Sequence, residues 1–178
     1  MISSLRQMLR RFKQSETGSA TVEFAITFPA MLLFLLSGVE LAVVNLHHSM
    51  LERAVDLTVR DIRLGTGTIP QHDDIKDLIC SRAGFIDNCL DNLRLEMIQV
   101  DPRNLTAIPA EADCTDKTQA VAPVRTFVNG LDNELMILRV CAKIDPVFPT
   151  TGLGAELAKG TGGQYALISI TAFVQEPQ

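Results

Sequence analysis

The stretch Gly18–Ala42, GSATVEFAITFPAMLLFLLSGVELA, decides the architecture. From Phe24 to Val39 it holds 16 residues without a charge, and widening it to Ala20–Val44 gives 25 residues interrupted only by Glu23 and Glu40. As a helix the wider segment covers about 37 Å, more than the hydrocarbon core of a bilayer at about 30 Å, so it is expected to span a membrane once. Pro29 removes the bond its amide would make to the Ala25 carbonyl, which loosens or kinks the helix there; a tolerated membrane proline and a functional hinge both fit.

The flanks set direction. Arg6, Arg10, Arg11 and Lys13 precede the span, whereas Asn45 to Leu51 are free of acidic and basic charge before mixed signs appear. The N-terminus is therefore expected in the cytoplasm and everything after about residue 45 exported. A cleavable secretory signal fits less well, because its apolar region runs only about 7 to 15 residues and ends at a small-x-small site. Here the apolar run continues into Val39-Glu-Leu-Ala-Val-Val.

The remaining composition agrees. Of 178 residues 47% are hydrophobic, with the excess concentrated in this one segment, and the rest is enough for a single exported domain. Net charge is −5 and the basic residues cluster only in the leading tail, so no face for nucleic acid is expected. Cys80, Cys89, Cys114 and Cys141 all follow the span, as suits an oxidising compartment.

A carboxylate inside a membrane helix costs about 2.5 to 3.5 kcal/mol at the bilayer centre and less at the edge. Glu23 thus either marks the interfacial end of the helix or has a partner. Gly18, four residues, Glu23 and the aromatic Phe24, behind a basic tail and ahead of an apolar helix, resemble the class III signal of type IV pilins. More specifically, residues 18–42 resemble the N-terminal segment of the TadE-like proteins, minor pseudopilins of tight-adherence (Flp) pilus systems. The shared features are the Val-Glu-Phe-Ala run, Pro29 within the apolar stretch, Gly38 and Glu40, although Gly38-Val-Glu40 is one residue shorter than the family's Gly-x-x-Glu. The later stretches MLERAVDLTVRDIRLGTG and LRLEMIQVDP are similar to the exported part of a TadE-like subgroup.

The resemblance implies that a membrane-embedded prepilin peptidase cuts after Gly18 on the cytoplasmic side and leaves the helix on the mature chain. Gly18, lacking a side chain, admits close approach of the peptidase to the backbone. Ser19 becomes the new N-terminus, and its amine is one helical turn from Glu23, which can neutralise it or a neighbouring chain's amine and give register to helix pairing. The implied partners are the prepilin peptidase, other pseudopilins or pilins, the pilus assembly machinery and membrane lipid. The implied location is the bacterial inner membrane with the C-terminal domain periplasmic, or the pilus itself. Major Flp pilins are very short, so the long region after the span argues for a minor subunit with a head.

Beyond the span, Leu51, Val55, Val59 and Ile62 continue one apolar helix face, with Asp56 and Arg60 an acid-before-base pair, until Gly65-Thr-Gly-Thr-Ile-Pro ends it. One helix from about Ala20 to Leu64 is predicted, and a second from Asp74 to Ala83 with Asp73 as cap. Three strands are predicted: Leu93 to Val100, Leu135 to Ile144, and Tyr165 to Val174, the last alternating most regularly. Asp101 to Asn133 is expected to be irregular. The class is α+β: a long transmembrane helix extending as a stalk into a small head with a three-stranded, antiparallel sheet and short helices. The expected divisions are a leader 1–18, a transmembrane segment 19–44, an exported continuation 45–65 and a head 66–178.

Four cysteines allow three pairings and the sequence does not choose among them; Cys80 with Cys89 and Cys114 with Cys141 are favoured, the first closing a short loop and the second tying the irregular loop to a strand. No C-x-x-C spacing suggests a redox centre or zinc. His47 and His48 do not share a helix face and read as interfacial polar anchors, and His72 precedes Asp73-Asp74 without metal spacing. Gly152-Leu-Gly and Gly160-Thr-Gly-Gly lack the rest of a phosphate loop and read as turns around a short helix. Asn104-Leu-Thr is a sequon by pattern alone. Glu40 either faces a helix partner or sits in the outer headgroup region, the second being preferred. No grouping argues for catalysis, a metal or a cofactor, so no enzyme is expected. The alternative function is an unprocessed single-span envelope protein whose exported domain binds a ligand or surface partner.

Overall fold

The computed structural model describes residues 18–64, 70–103, 112–114 and 127–177. The basic tail, the expected turn after Leu64, the Asn104 sequon and most of the expected irregular loop lie outside the described residues. Helix α1 is Ser19–Leu64, 46 residues and about 69 Å long, and it runs unbroken through Pro29. Helices α2 (His72–Arg82) and α3 (Cys89–Asn92) follow. Strand β1 (Leu93–Gln99), β2 (Leu135–Ile144), helix α4 (Gly152–Leu157), a 3-10 turn (Thr161–Gly163) and β3 (Tyr165–Val174) come next among the described residues.

The strands form one antiparallel sheet in the order β1-β2-β3, so the architecture is α+β as expected. Its register pairs Leu95 with Val140 and Met97 with Leu138, then Val140 with Ser169 and Met136 with Phe173. These residues point to one face, and that face meets α1. Leu51, Val55, Val59 and Ile62 are buried there, with Ile75 and Ile79 of α2 closing the same core. A sheet of three short strands is not stable alone; the helix supplies the second layer it needs.

Polar contacts fasten the layers at the far end of α1. Arg82, in the last turn of α2, donates to Thr58 Oγ1 at 3.0 Å and pairs with Asp61 at 2.5 Å. Asp56 accepts a bond from Thr171 Oγ1 on β3 at 3.2 Å. Helix α2 starts two residues earlier than predicted, and its cap is Gln71, not Asp73. Asp74 in the first turn reaches back to the Gln71 backbone N–H at 2.9 Å, as a capping-box acid does. The single turn α3 has no counterpart in the sequence reading; Asn88 enters it in the left-handed region, φ 47°, which asparagine tolerates.

The sheet's other face carries a polar cluster between β1 and β2, flanked by Ile98 and Ile137. Arg139 and Glu96 form a buried pair at 2.5 Å, Glu96 Oε1 accepts the Asp113 backbone N–H at 2.6 Å, and Arg94 reaches Asp113 Oδ2 at 3.1 Å. Two disulfides, Cys80–Cys89 and Cys114–Cys141, close the head, the second fixing residues 112–114 over this polar cluster. On β3 the same face is apolar and exposed, carrying Ile168, Ile170 and Val174.

Candidate functional site

Helix α1 has two halves with different surroundings. Residues 20–35 are exposed throughout, large apolar side chains included: Phe34 is 81% exposed. Gly18 lies at the exposed start of this half, with open space where a side chain would be, and α1 begins at the following residue, Ser19. Glu23 is exposed, its carbonyl accepts a bond from Thr27 Oγ1 at 2.8 Å, and Phe24 stacks on Phe28 at 4.8 Å between ring centres. Gly18, Ser19, Glu23 and Phe24 thus occupy one end of the molecule, remote from the disulfides, which staple the head.

The second half begins lower on the helix than Val44. Ser37 Oγ accepts the Leu153 N–H at 3.2 Å, and Glu40 Oε1 and Oε2 accept the N–H groups of Val147 and Phe148 at 3.0 and 2.9 Å. Glu40 is 0% exposed. Whatever its depth, the carboxylate is not bare: it is roofed by the loop between β2 and α4. Two converging N–H donors are what a carboxylate withdrawn from water requires. No local pattern announces this partnership, because its members are more than a hundred residues apart. The available signals were Ser37 and Glu40 on one helix face at i,i+3, and a charge-free loop in which glycines recur at 152 and 154.

Those glycines permit the close approach. A Cβ on Gly154 would fall 2.2 Å from the Phe148 carbonyl oxygen, and one on Gly152, where φ is +54°, would fall 2.5 Å from Ser37 Oγ. Just above, the His47 ring stacks on Phe85 at 4.7 Å and its Nδ1 lies 3.5 Å from the Tyr165 hydroxyl. Burial lowers the pKa of His47, with the negative Glu40 opposing it. Burial first, then Glu40 and Asp145, push the Tyr165 phenol up to about 12. His48 Nε2 lies 3.2 Å from the Ile168 carbonyl oxygen, so both histidines join the helix to the head. Among the described residues no group of three or more His, Cys, Asp or Glu is placed to hold a metal.

Chemically, the clasp around Glu40 joins the head to the helix, while the Gly18–Phe28 end offers an exposed glycine, an acid and an unshielded apolar helix. Comparison with curated proteins and with solved structures gives no significant match. Residues 18–60, which run from Gly18 through the bare half and into the clasped half of α1, match the family model described as TadE-like protein, the family that the Gly18–Ala42 stretch resembles.

Proposed function

We propose that this protein is a TadE-like minor pseudopilin acting in assembly of a tight-adherence (Flp) pilus. Prepilin peptidase cuts after Gly18, removing the basic leader 1–18. The mature chain is held in the inner membrane by a single span within 19–44, N-terminus cytoplasmic, with the head periplasmic. Its role is association with pilins, other pseudopilins and the assembly machinery, without catalysis.

The observation that carries the reading is the family match over residues 18–60, which covers both the bond to be cut and the helix to be retained. The exposure of residues 20–35 supports it, since a bare apolar helix needs lipid or neighbouring helices around it. The order of parts also fits: the freed Ser19 amine stands one turn from Glu23, which is four residues further on. The test is Gly18→Leu in cells with an active prepilin peptidase. A precursor retaining the leader should accumulate and pili should be lost; normal size and normal piliation would overturn the proposal in favour of an unprocessed envelope protein.

A further inference from the structure

The loop clasped by Glu40 has properties that its role as a joint does not require. Pro146 to Ala155, PVFPTTGLGA, carries no charge and is bounded by Asp145 and Glu156. Its backbone donors are largely absorbed: Val147 and Phe148 give theirs to Glu40, Leu153 to Ser37, Thr151 to the Phe148 carbonyl and Ala155 to the Thr151 carbonyl. Pro146 and Pro149 have none to give. Water would satisfy such groups in an exposed loop; lipid would not. Yet Val147, near the start of the loop, is 48% exposed, and Phe148 and Leu153 are only partly covered.

Its height on the helix supplies the second observation. Residues 20–37 rise about 27 Å and a hydrocarbon core is about 30 Å thick. A core that starts at Ala20 therefore ends close to Glu40. Gly152 sits against Ser37, and a Cβ on it would be 3.7 Å from the Leu33 carbonyl oxygen, so the loop reaches this outer boundary or just inside it.

The geometry points to residues 146–155 as a foot that rests in the interface of the leaflet on the C-terminal side of the span, with Val147 directed into lipid. The inference rests on reading residues 20–36 as membrane-embedded. The foot fixes the height and tilt of the head, because Glu40 and Ser37 join it rigidly to the spanning helix.

The chain contains no tryptophan, so single tryptophans report cleanly. Three variants of the full chain, Val147→Trp, Phe34→Trp in the bare half and Leu131→Trp in the head, are placed in vesicles of phosphatidylethanolamine and phosphatidylglycerol carrying lipids brominated at different depths. All three positions are exposed, Leu131 by 71%, so none disturbs packing. Phe34→Trp should be quenched strongly by deep bromines and Leu131→Trp by none. Val147→Trp should show blue-shifted emission, protection from acrylamide and loss of emission greatest with bromines near the carbonyl end of the acyl chain. Quenching of Phe34→Trp alone would overturn the foot while leaving the span intact. Failure of Phe34→Trp itself would overturn the membrane reading, and quenching of all three would mean that the whole head lies on lipid.

Discussion

The two halves of α1 differ in what covers them, although they are continuous in backbone. From 20 to 35 every residue is exposed; from Leu51 to Ile62 one face is buried under the sheet while the opposite face stays polar. The first half is apolar over most of its surface, and among the described residues none of the positions 20–35 is covered by the head. The second half is amphipathic and complete. The difference teaches that the head covers one end of the helix and leaves the other bare, with Ser37 and Glu40 at the boundary.

Substitutions should separate the halves. The largest effect is expected from removing Cys114–Cys141, whose partners are 27 residues apart: replacing both by serine should cost the head about 3–4 kcal/mol by the loop-entropy rule and free residues 112–114 from the polar cluster. Chemical denaturation in detergent measures this, and the bare helix should keep its helicity throughout. Next, Glu40→Leu leaves two buried N–H groups without an acceptor and should cost about 3 kcal/mol, with faster amide exchange at Val147 and Phe148. Glu23→Leu, an acid lost from the other half, should change head stability by no more than about 0.5 kcal/mol while impairing pilus assembly. Equal destabilisation by the two would erase the distinction between the halves.

Gly154→Ala should cost about 1–3 kcal/mol, because its Cβ meets the Phe148 carbonyl and the loop has to lift from Glu40. The smallest effects are in pH. Tyr165 is the sole tyrosine, and its phenol is pushed up to about 12 from the ordinary 10.0, so the folded state holds its proton more tightly than the unfolded state. The associated stabilisation is whole below pH 10.0 and lost as pH rises through about 12, which tyrosinate absorbance follows directly. For His47 the folded pKa lies below 6.5: its contribution is whole above pH 6.5 and falls as the solution is acidified below that, seen as lower thermal stability absent in His47→Gln.

Much of the fold was legible because it rests on periodicity. The helix to Leu64, its buried face at Leu51, Val55, Val59 and Ile62, and the spans of β2 and β3 follow from apolar spacing, and β1 ends one residue short of its predicted limit. For β3 the alternation revealed two faces but not which one is inside: Tyr165, Leu167, Ser169 and Phe173 are buried, while the more uniformly apolar set is exposed. Periodicity says that a residue has a side, not what waits there. For the same reason the partner of Glu40 went unread, since a loop-roofed acid and a bare one look alike until the distant loop that satisfies it is folded. The motif from Gly18 to Phe24 was readable as a pattern, but the role proposed for it involves a peptidase and neighbouring helices outside the chain.

The most direct test is intact and N-terminal mass spectrometry of the mature membrane form from cells with an active prepilin peptidase. The account predicts a chain beginning at Ser19, with Glu23 as its fifth residue and both disulfides present. A membrane form that still begins at Met1 would contradict it.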